Sequence, residues 1–150
     1  MPWDHGLKDA AATEAFGARL ASFVAAGDVI TLSGQLGVGK TSIARGLLAA
    51  LGLAGEAPSP SFAIVQPYAP PEVRMPVLHV DLYRIDDPDE LEELGLDDSA
   101  SDALLIIEWP ERAPGYWPDA LALTLEILPD GTRGLTADVP AAWKARWQQI

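Results

Sequence analysis

The chain has 150 residues, 10 of them Lys or Arg and 22 Asp or Glu, for a formal net charge of −12 with histidine neutral. That length suits one domain spanning residues 1–150, and a hydrophobic fraction of 49% with 5 Trp excludes a chain disordered throughout. The absence of Cys removes a disulfide framework, a thiolate zinc site and a cysteine nucleophile; the acidic excess argues against a protein that grips nucleic acid by itself, because such affinity is built from Lys and Arg neutralising phosphates.

The opening MPWDHGLKD has no basic stretch followed by an apolar core, and no apolar run approaches the ~18 residues that span a bilayer. Neither a signal peptide nor a membrane span is expected, and the expected compartment is the cytosol. Phe16, Leu20, Phe23 and Val24 repeat at helical spacing and predict a helix from Ala10 to Ala26, with Asp9 as N-cap and Gly27 as the stop. Val29 to Ser33 is a β-branched run that reads as a strand; a glycine-rich loop follows, then a second helix carrying Ile43, Leu47, Leu48 and Leu51 and ending at Gly52. Leu53 to Ser61 reads as loop, Phe62 to Tyr68 as extended, and Ala69 to Pro76, with its three prolines, as an exposed connector.

Val77 to Leu82 predicts a strand with His79 and Asp81 on one side and Leu78, Val80 and Leu82 on the other. Asp87 as N-cap and Pro88 at the first helical position open a short acidic helix closing at Gly95. Between Arg84 and Arg112 the chain is acidic without a single basic residue, a solvated face or a docking patch for a basic partner. Ala103 to Ile107 has the length and composition of a buried parallel strand, and Glu108 ends it. Leu121 to Leu128 and Arg133 to Val139 flank an Asp130-Gly131 turn and predict a hairpin; Pro140 opens a final helix with Trp143 and Trp147 one turn apart. The sum is a three-layer α/β P-loop NTPase fold, with a mainly parallel central sheet and an antiparallel C-terminal hairpin.

Gly34-Gln35-Leu36-Gly37-Val38-Gly39-Lys40-Thr41 fits GxxxxGK[ST] in full, between a predicted strand and a predicted helix. Glycines let backbone N–H groups turn inward around phosphate oxygens, and the helix beginning near Lys40 adds its positive end. Lys40 is placed to reach the β- and γ-phosphates, and the Thr41 hydroxyl to ligate Mg²⁺. Asp81 and Glu108 are the two carboxylates that directly follow apolar strands, at the edge where α/β sheets bind ligands. Such an enzyme needs one carboxylate at Mg²⁺ and a polar group that orients the attacking water, and the residues alone leave open which of the two touches the metal. His79 reads as a buried strand histidine rather than a base. Neither NKxD nor DxxG occurs, which favours ATP over GTP. The acidic stretch and hairpin stand where a kinase would carry an arginine-bearing lid, so a small-molecule kinase is the weaker alternative. A nucleotide-dependent binding module with incidental hydrolysis is the other. No arginine finger is evident, so hydrolysis by the free chain is expected to be slow.

The order of GQLGVGKTS from Gly34 to Ser42, SPSF from Ser59 to Phe62, HVDLYR from His79 to Arg84 and EWPER from Glu108 to Arg112 resembles the TsaE (YjeE) family of bacterial P-loop ATPases. The likeness runs from about the first helix to the tail hairpin. It implies an ATPase of tRNA threonylcarbamoyladenosine biosynthesis, working with the threonylcarbamoyl transferase TsaD and its non-catalytic paralogue TsaB. Hydrolysis would reset that complex between turnovers, and tRNA would be met only through it. Carried over by motif, Gly34, Gln35, Leu36, Gly37, Val38, Gly39, Lys40, Thr41 and Ser42 hold ATP, Thr41 and Glu108 hold Mg²⁺, and Asp81 is the second carboxylate needed for hydrolysis. The resemblance adds Thr13 on the nucleotide side. It also adds Ser61, which stands where the family has Thr and keeps the hydroxyl for a γ-phosphate or Mg²⁺ contact. Tyr83 and Trp109 belong to the same motifs and read equally well as packing.

Overall fold

The computed structural model describes residues 7–35, 37–55, 65–87, 89–96 and 101–150. Six strands, β1 (Val29–Ser33), β2 (Val65–Tyr68), β3 (Val77–Asp81), β4 (Leu104–Glu108), β5 (Leu121–Ile127) and β6 (Arg133–Asp138), form one sheet in the order β2-β3-β4-β1-β5-β6. The three inner pairings, β3 with β4, β4 with β1 and β1 with β5, are parallel. The outer two, β2 with β3 and β5 with β6, are antiparallel. The C-terminal hairpin was expected. The antiparallel β2 edge was not, because an extended run carries no mark of its direction.

Burial follows sequence strand by strand. β4 is apolar up to Glu108 and buried at every position, as a strand covered on both faces must be. β5 alternates, with Leu121, Leu123 and Leu125 buried and Thr124 and Glu126 exposed. The hairpin closes through Gly131 at φ 87°, where Leu128 N donates to Thr132 O at 2.9 Å and Asp130 Oδ1 accepts from the Thr132 amide and hydroxyl.

Two helices, α1 (Ala10–Leu20) and α2 (Lys40–Ala50), cover one face of the sheet. Leu20, Leu47 and Leu48 meet Ile30, Leu32, Ile106 and Leu123 there, with Trp143 filling the end of the layer. The helices touch backbone to backbone: a Cβ on Gly17 would lie 2.1 Å from Ile43 O, and one on Gly46 would lie 1.9 Å from Glu14 O. The opposite face carries Val80, Leu82, Leu105 and Ile107 under Ile85, Leu91, Leu96 and Ala113. This third layer is thin, made of the single-turn α3 (Glu90–Glu93), a 3₁₀ turn at Pro110–Arg112 and the chain leading to β5.

Three boundaries differ from expectation. Asp9 caps α1 as predicted, its side chain accepting from Ala12 N at 2.8 Å, but the helix stops at Leu20. The carbonyls of Ala21 and Phe23 are taken by the guanidinium groups of Arg74 and Arg146 instead of by a further turn. Phe23 and Val24 still pack on the core, which is why the periodicity runs on. The acidic helix is one turn with Asp89, not Asp87, at its N-cap position; Asp87 accepts from Asp89 N and Glu90 N in the preceding turn, and Pro88 lies outside the described residues. The final helix begins as a 3₁₀ turn (Ala141–Trp143) that runs into α4 (Lys144–Trp147), burying Trp143 and Trp147. Among the described residues no helix is long and apolar enough to cross a membrane.

Candidate functional site

Because β3, β4 and β1 are adjacent and parallel, their C-terminal ends emerge side by side on one edge of the sheet. Asp81 and Glu108 stand opposite each other in the β3–β4 register, and β1 delivers the glycine loop next to them. Gly34 takes φ 142°, and a Cβ there would fall 2.5 Å from Leu125 O, so only glycine passes. Gly39 sits at the N-cap position of α2 with φ 118° and offers no capping side chain. The first-turn amides of α2 are thereby left for an external anion.

Lys40, the first residue of α2, folds back so that Nζ donates to Gly34 O at 2.6 Å and lies 3.3 Å from the centroid of the Trp109 ring. Burial pushes its pKa below the ordinary amine value of 10.5, opposed by the negative charges of Glu108, Glu111 and Asp81. Thr41 Oγ1 donates to Glu108 Oε1 at 3.1 Å, and the other carboxylate oxygen, Oε2, lies 2.6 Å from His79 Nε2. Asp81 Oδ1 accepts from Tyr83 N at 2.8 Å. These groups border a cavity of about 190 Å³ lined by Gly37, Gly39, Lys40, Thr41, Ser42, Asp81, Glu108 and Trp109. A larger hollow of about 300 Å³ lies at the opposite end of β1, between Asp28, Trp117 and Trp143, away from the glycine loop.

Trp109 is the one non-glycine with positive φ among the described residues, at φ 62° and ψ 49°. A bulky side chain in the left-handed region costs about 1–2 kcal/mol, and here that conformation lays the indole over Lys40. The ring also meets Tyr83 at 4.8 Å between centroids, and the Arg112 guanidinium lies 5.6 Å from the Tyr83 ring.

The structure therefore brings Lys40, Thr41, Ser42, Asp81 and Glu108 to one cavity with Gly37 and Gly39. Gly34 O and Gln35 O shape the loop by accepting from Lys40 Nζ and Val38 N, while the Val38 side chain is buried in the core and its carbonyl accepts from Arg133 Nε. Thr13 is buried with its hydroxyl on Asp9 O; its methyl borders Gly39, behind the loop rather than on the cavity lining. Leu36 and Ser61 lie outside the described residues. His79 and Trp109 are the contributors that residue-type reasoning undervalued. The strand alternation did place His79 on the side of Asp81; nothing in the residue order announced the backbone turn at Trp109.

A hydroxyl and a carboxylate are hard oxygen donors, which fits Mg²⁺ better than a softer metal. Among the described residues no three His, Cys, Asp or Glu side chains cluster as a metal cage, so an ion here would need further oxygens from a bound phosphate.

The family model described as "Threonylcarbamoyl adenosine biosynthesis protein TsaE" matches residues 7–135. A Streptomyces coelicolor protein named tRNA threonylcarbamoyladenosine biosynthesis protein TsaE is 45% identical over 124 residues, 81% of this chain and 81% of that one. Its Bacillus subtilis namesake is 33% identical over 126 residues, 83% of this chain and 77% of the relative. The crystal structure of Bacillus subtilis YdiB superimposes with a TM-score of 0.80 at 25% identity, covering 99% of this chain and 91% of that one.

Proposed function

The chain belongs to the TsaE family of tRNA threonylcarbamoyladenosine biosynthesis proteins, and on that premise we propose that it is the Mg²⁺-dependent ATPase of that modification pathway. The observation that carries the reading is convergence: Lys40 Nζ, the Thr41–Glu108 pair and Asp81 meet in one cavity at the mouth of a GxxxxGK[ST] loop.

The loop amides and Lys40 bind the β- and γ-phosphates, and the cavity holds them in line with an attacking water. Thr41 and Glu108 would hold Mg²⁺, which when bound neutralises charge on the phosphate oxygens. Asp81, at the end of the neighbouring strand, orients the water. Among the described residues no arginine lines the cavity, so transition-state charge is under-compensated and the chain alone hydrolyses ATP slowly. Docking on TsaD and TsaB completes the site, and hydrolysis resets that complex between turnovers. The chain meets tRNA through these partners and works in the cytoplasm.

The test is steady-state ATP hydrolysis by the purified chain, alone and with the TsaD–TsaB pair, using Lys40→Ala as the blank. The expected result is slow turnover alone, strong stimulation by the pair, and loss of both in the blank. Hydrolysis indifferent to the pair, together with γ-phosphate transfer to a small-molecule acceptor, would replace this reading by a kinase.

A further inference from the structure

We propose that His79 is the positioning residue of this site: its buried imidazole fixes Glu108 in the orientation that presents the Thr41 and Glu108 oxygens together to nucleotide-bound Mg²⁺. The inference rests on the ATP·Mg²⁺ reading above.

His79 lies in the middle of β3 with none of its surface exposed, and Glu108 at the end of β4 is 3% exposed. The Glu108 side chain has three rotatable bonds, and a carboxylate left to itself in that space would have several ways to turn. Two contacts remove the choice. His79 Nε2 lies 2.6 Å from Oε2, and Thr41 Oγ1 donates to Oε1 at 3.1 Å, so each oxygen has one fixed neighbour.

An ionised carboxylate only accepts, so the proton in the His79–Glu108 contact belongs to Nε2. His79 Nδ1 is buried and has no hydrogen-bond partner among the described residues, so a proton there would be an orphan. Both nitrogens thus favour the same tautomer, and the ring is a donor with one target. With His79 on Oε2 and Thr41 on Oε1, the Glu108 carboxylate is held from both sides at the end of β4. A ligand carboxylate held by an outer donor is the arrangement whose loss weakens a metal site by about 10–100-fold. A histidine that merely fills the core would be replaceable by any side chain of similar bulk.

The experiment measures binding of the β,γ-imido analogue of ATP by titration calorimetry, with Mg²⁺ and with a chelator, for wild type, His79→Leu and His79→Gln. Wild type should bind more tightly with Mg²⁺. His79→Leu should keep its metal-free affinity within about twofold and lose about tenfold of the Mg²⁺ gain. His79→Gln, whose amide places an N–H near the former Nε2, should recover most of it. A wild type without any Mg²⁺ gain would overturn the ATP·Mg²⁺ reading itself. A wild-type gain matched by His79→Leu would overturn only the positioning role, as would equal losses with and without metal.

A second measurement needs no variant. In ¹⁵N NMR of the nucleotide-free wild type, which has 2 histidines, the His79 ring should show a protonated Nε2 and a bare Nδ1. The opposite tautomer would overturn the proposal even if the variants failed to fold.

Discussion

An ammonium has three protons to place, and at Lys40 two of its approaches are already taken: Gly34 O accepts at 2.6 Å and the Trp109 ring covers one side at 3.3 Å. The remaining direction is the cavity, so the carbonyl and the indole aim the charge where a phosphate would sit. Trp109 can do this only from its left-handed backbone, which puts strain at the site in the service of placing a ring. A cation over an indole with little water around it contributes about 1–2 kcal/mol. Trp109→Leu should therefore weaken nucleotide binding by roughly tenfold, while Trp109→Phe, which keeps a π face, should lose less than half of that energy. Fluorescent-nucleotide titration of both variants decides the matter. Equal affinity in Trp109→Leu and wild type would reduce Trp109 to packing against Tyr83.

The position of Lys40 depends in turn on how α2 sits against α1. Gly17 and Gly46 let the two backbones meet, each glycine lying against a carbonyl of the other helix. In an exposed helix interior, glycine to alanine ordinarily stabilises by about 1 kcal/mol. Here the sign should reverse. A Cβ on Gly46 would stand 1.9 Å from Glu14 O, a backbone atom that cannot step aside without moving α1. Gly46→Ala should lower stability by about 1–3 kcal/mol in urea denaturation, and because α2 begins with Lys40 and Thr41, nucleotide affinity should fall with it. A stabilised Gly46→Ala would mean that the helices are not in backbone contact.

The same scale shows what the residue order could reveal. β1, the glycine loop and α2 were legible because each is specified locally, by a β-branched run, by glycines at strained angles and by an apolar stripe ending in Gly52. The end of α1 was not, because Arg74 and Arg146 reach its last turns from 53 and 123 residues away. The site was half legible. Asp81 and Glu108 follow apolar strands and could be picked out singly, but the hold of His79 on Glu108 exists only once β3 and β4 lie in parallel register.

At the scale of the whole molecule, charge is distributed less evenly than a net −12 conveys. Several basic side chains bind groups of the fold itself, although Arg19 and Arg74 stay exposed. Arg146 pairs with Asp28 at 2.7 Å, donates to Phe23 O and lies 3.7 Å from the Trp143 ring, tying α4 to the link between α1 and β1. Arg19 donates to Ile150 O and Gln149 O, Arg133 to Val38 O, Arg74 to Ala21 O and Lys40 to Gly34 O. The carboxylates of Asp86, Asp87, Asp89, Glu90, Glu92 and Glu93 stay exposed in one stretch. With 10 Lys and Arg against 22 Asp and Glu, a polyanion meets a predominantly acidic molecule, and the counterion release that drives nucleic-acid binding has few cations to work with. The isolated chain should show no saturable tRNA binding below about 100 µM at physiological salt, the weak end of ordinary non-specific affinity. Filter binding with labelled tRNA, with and without the TsaD–TsaB pair, tests this. Retention by the chain alone that weakens steeply with added salt would reveal a cationic surface these contacts do not contain, and would place tRNA recognition in this chain rather than in the proposed partners.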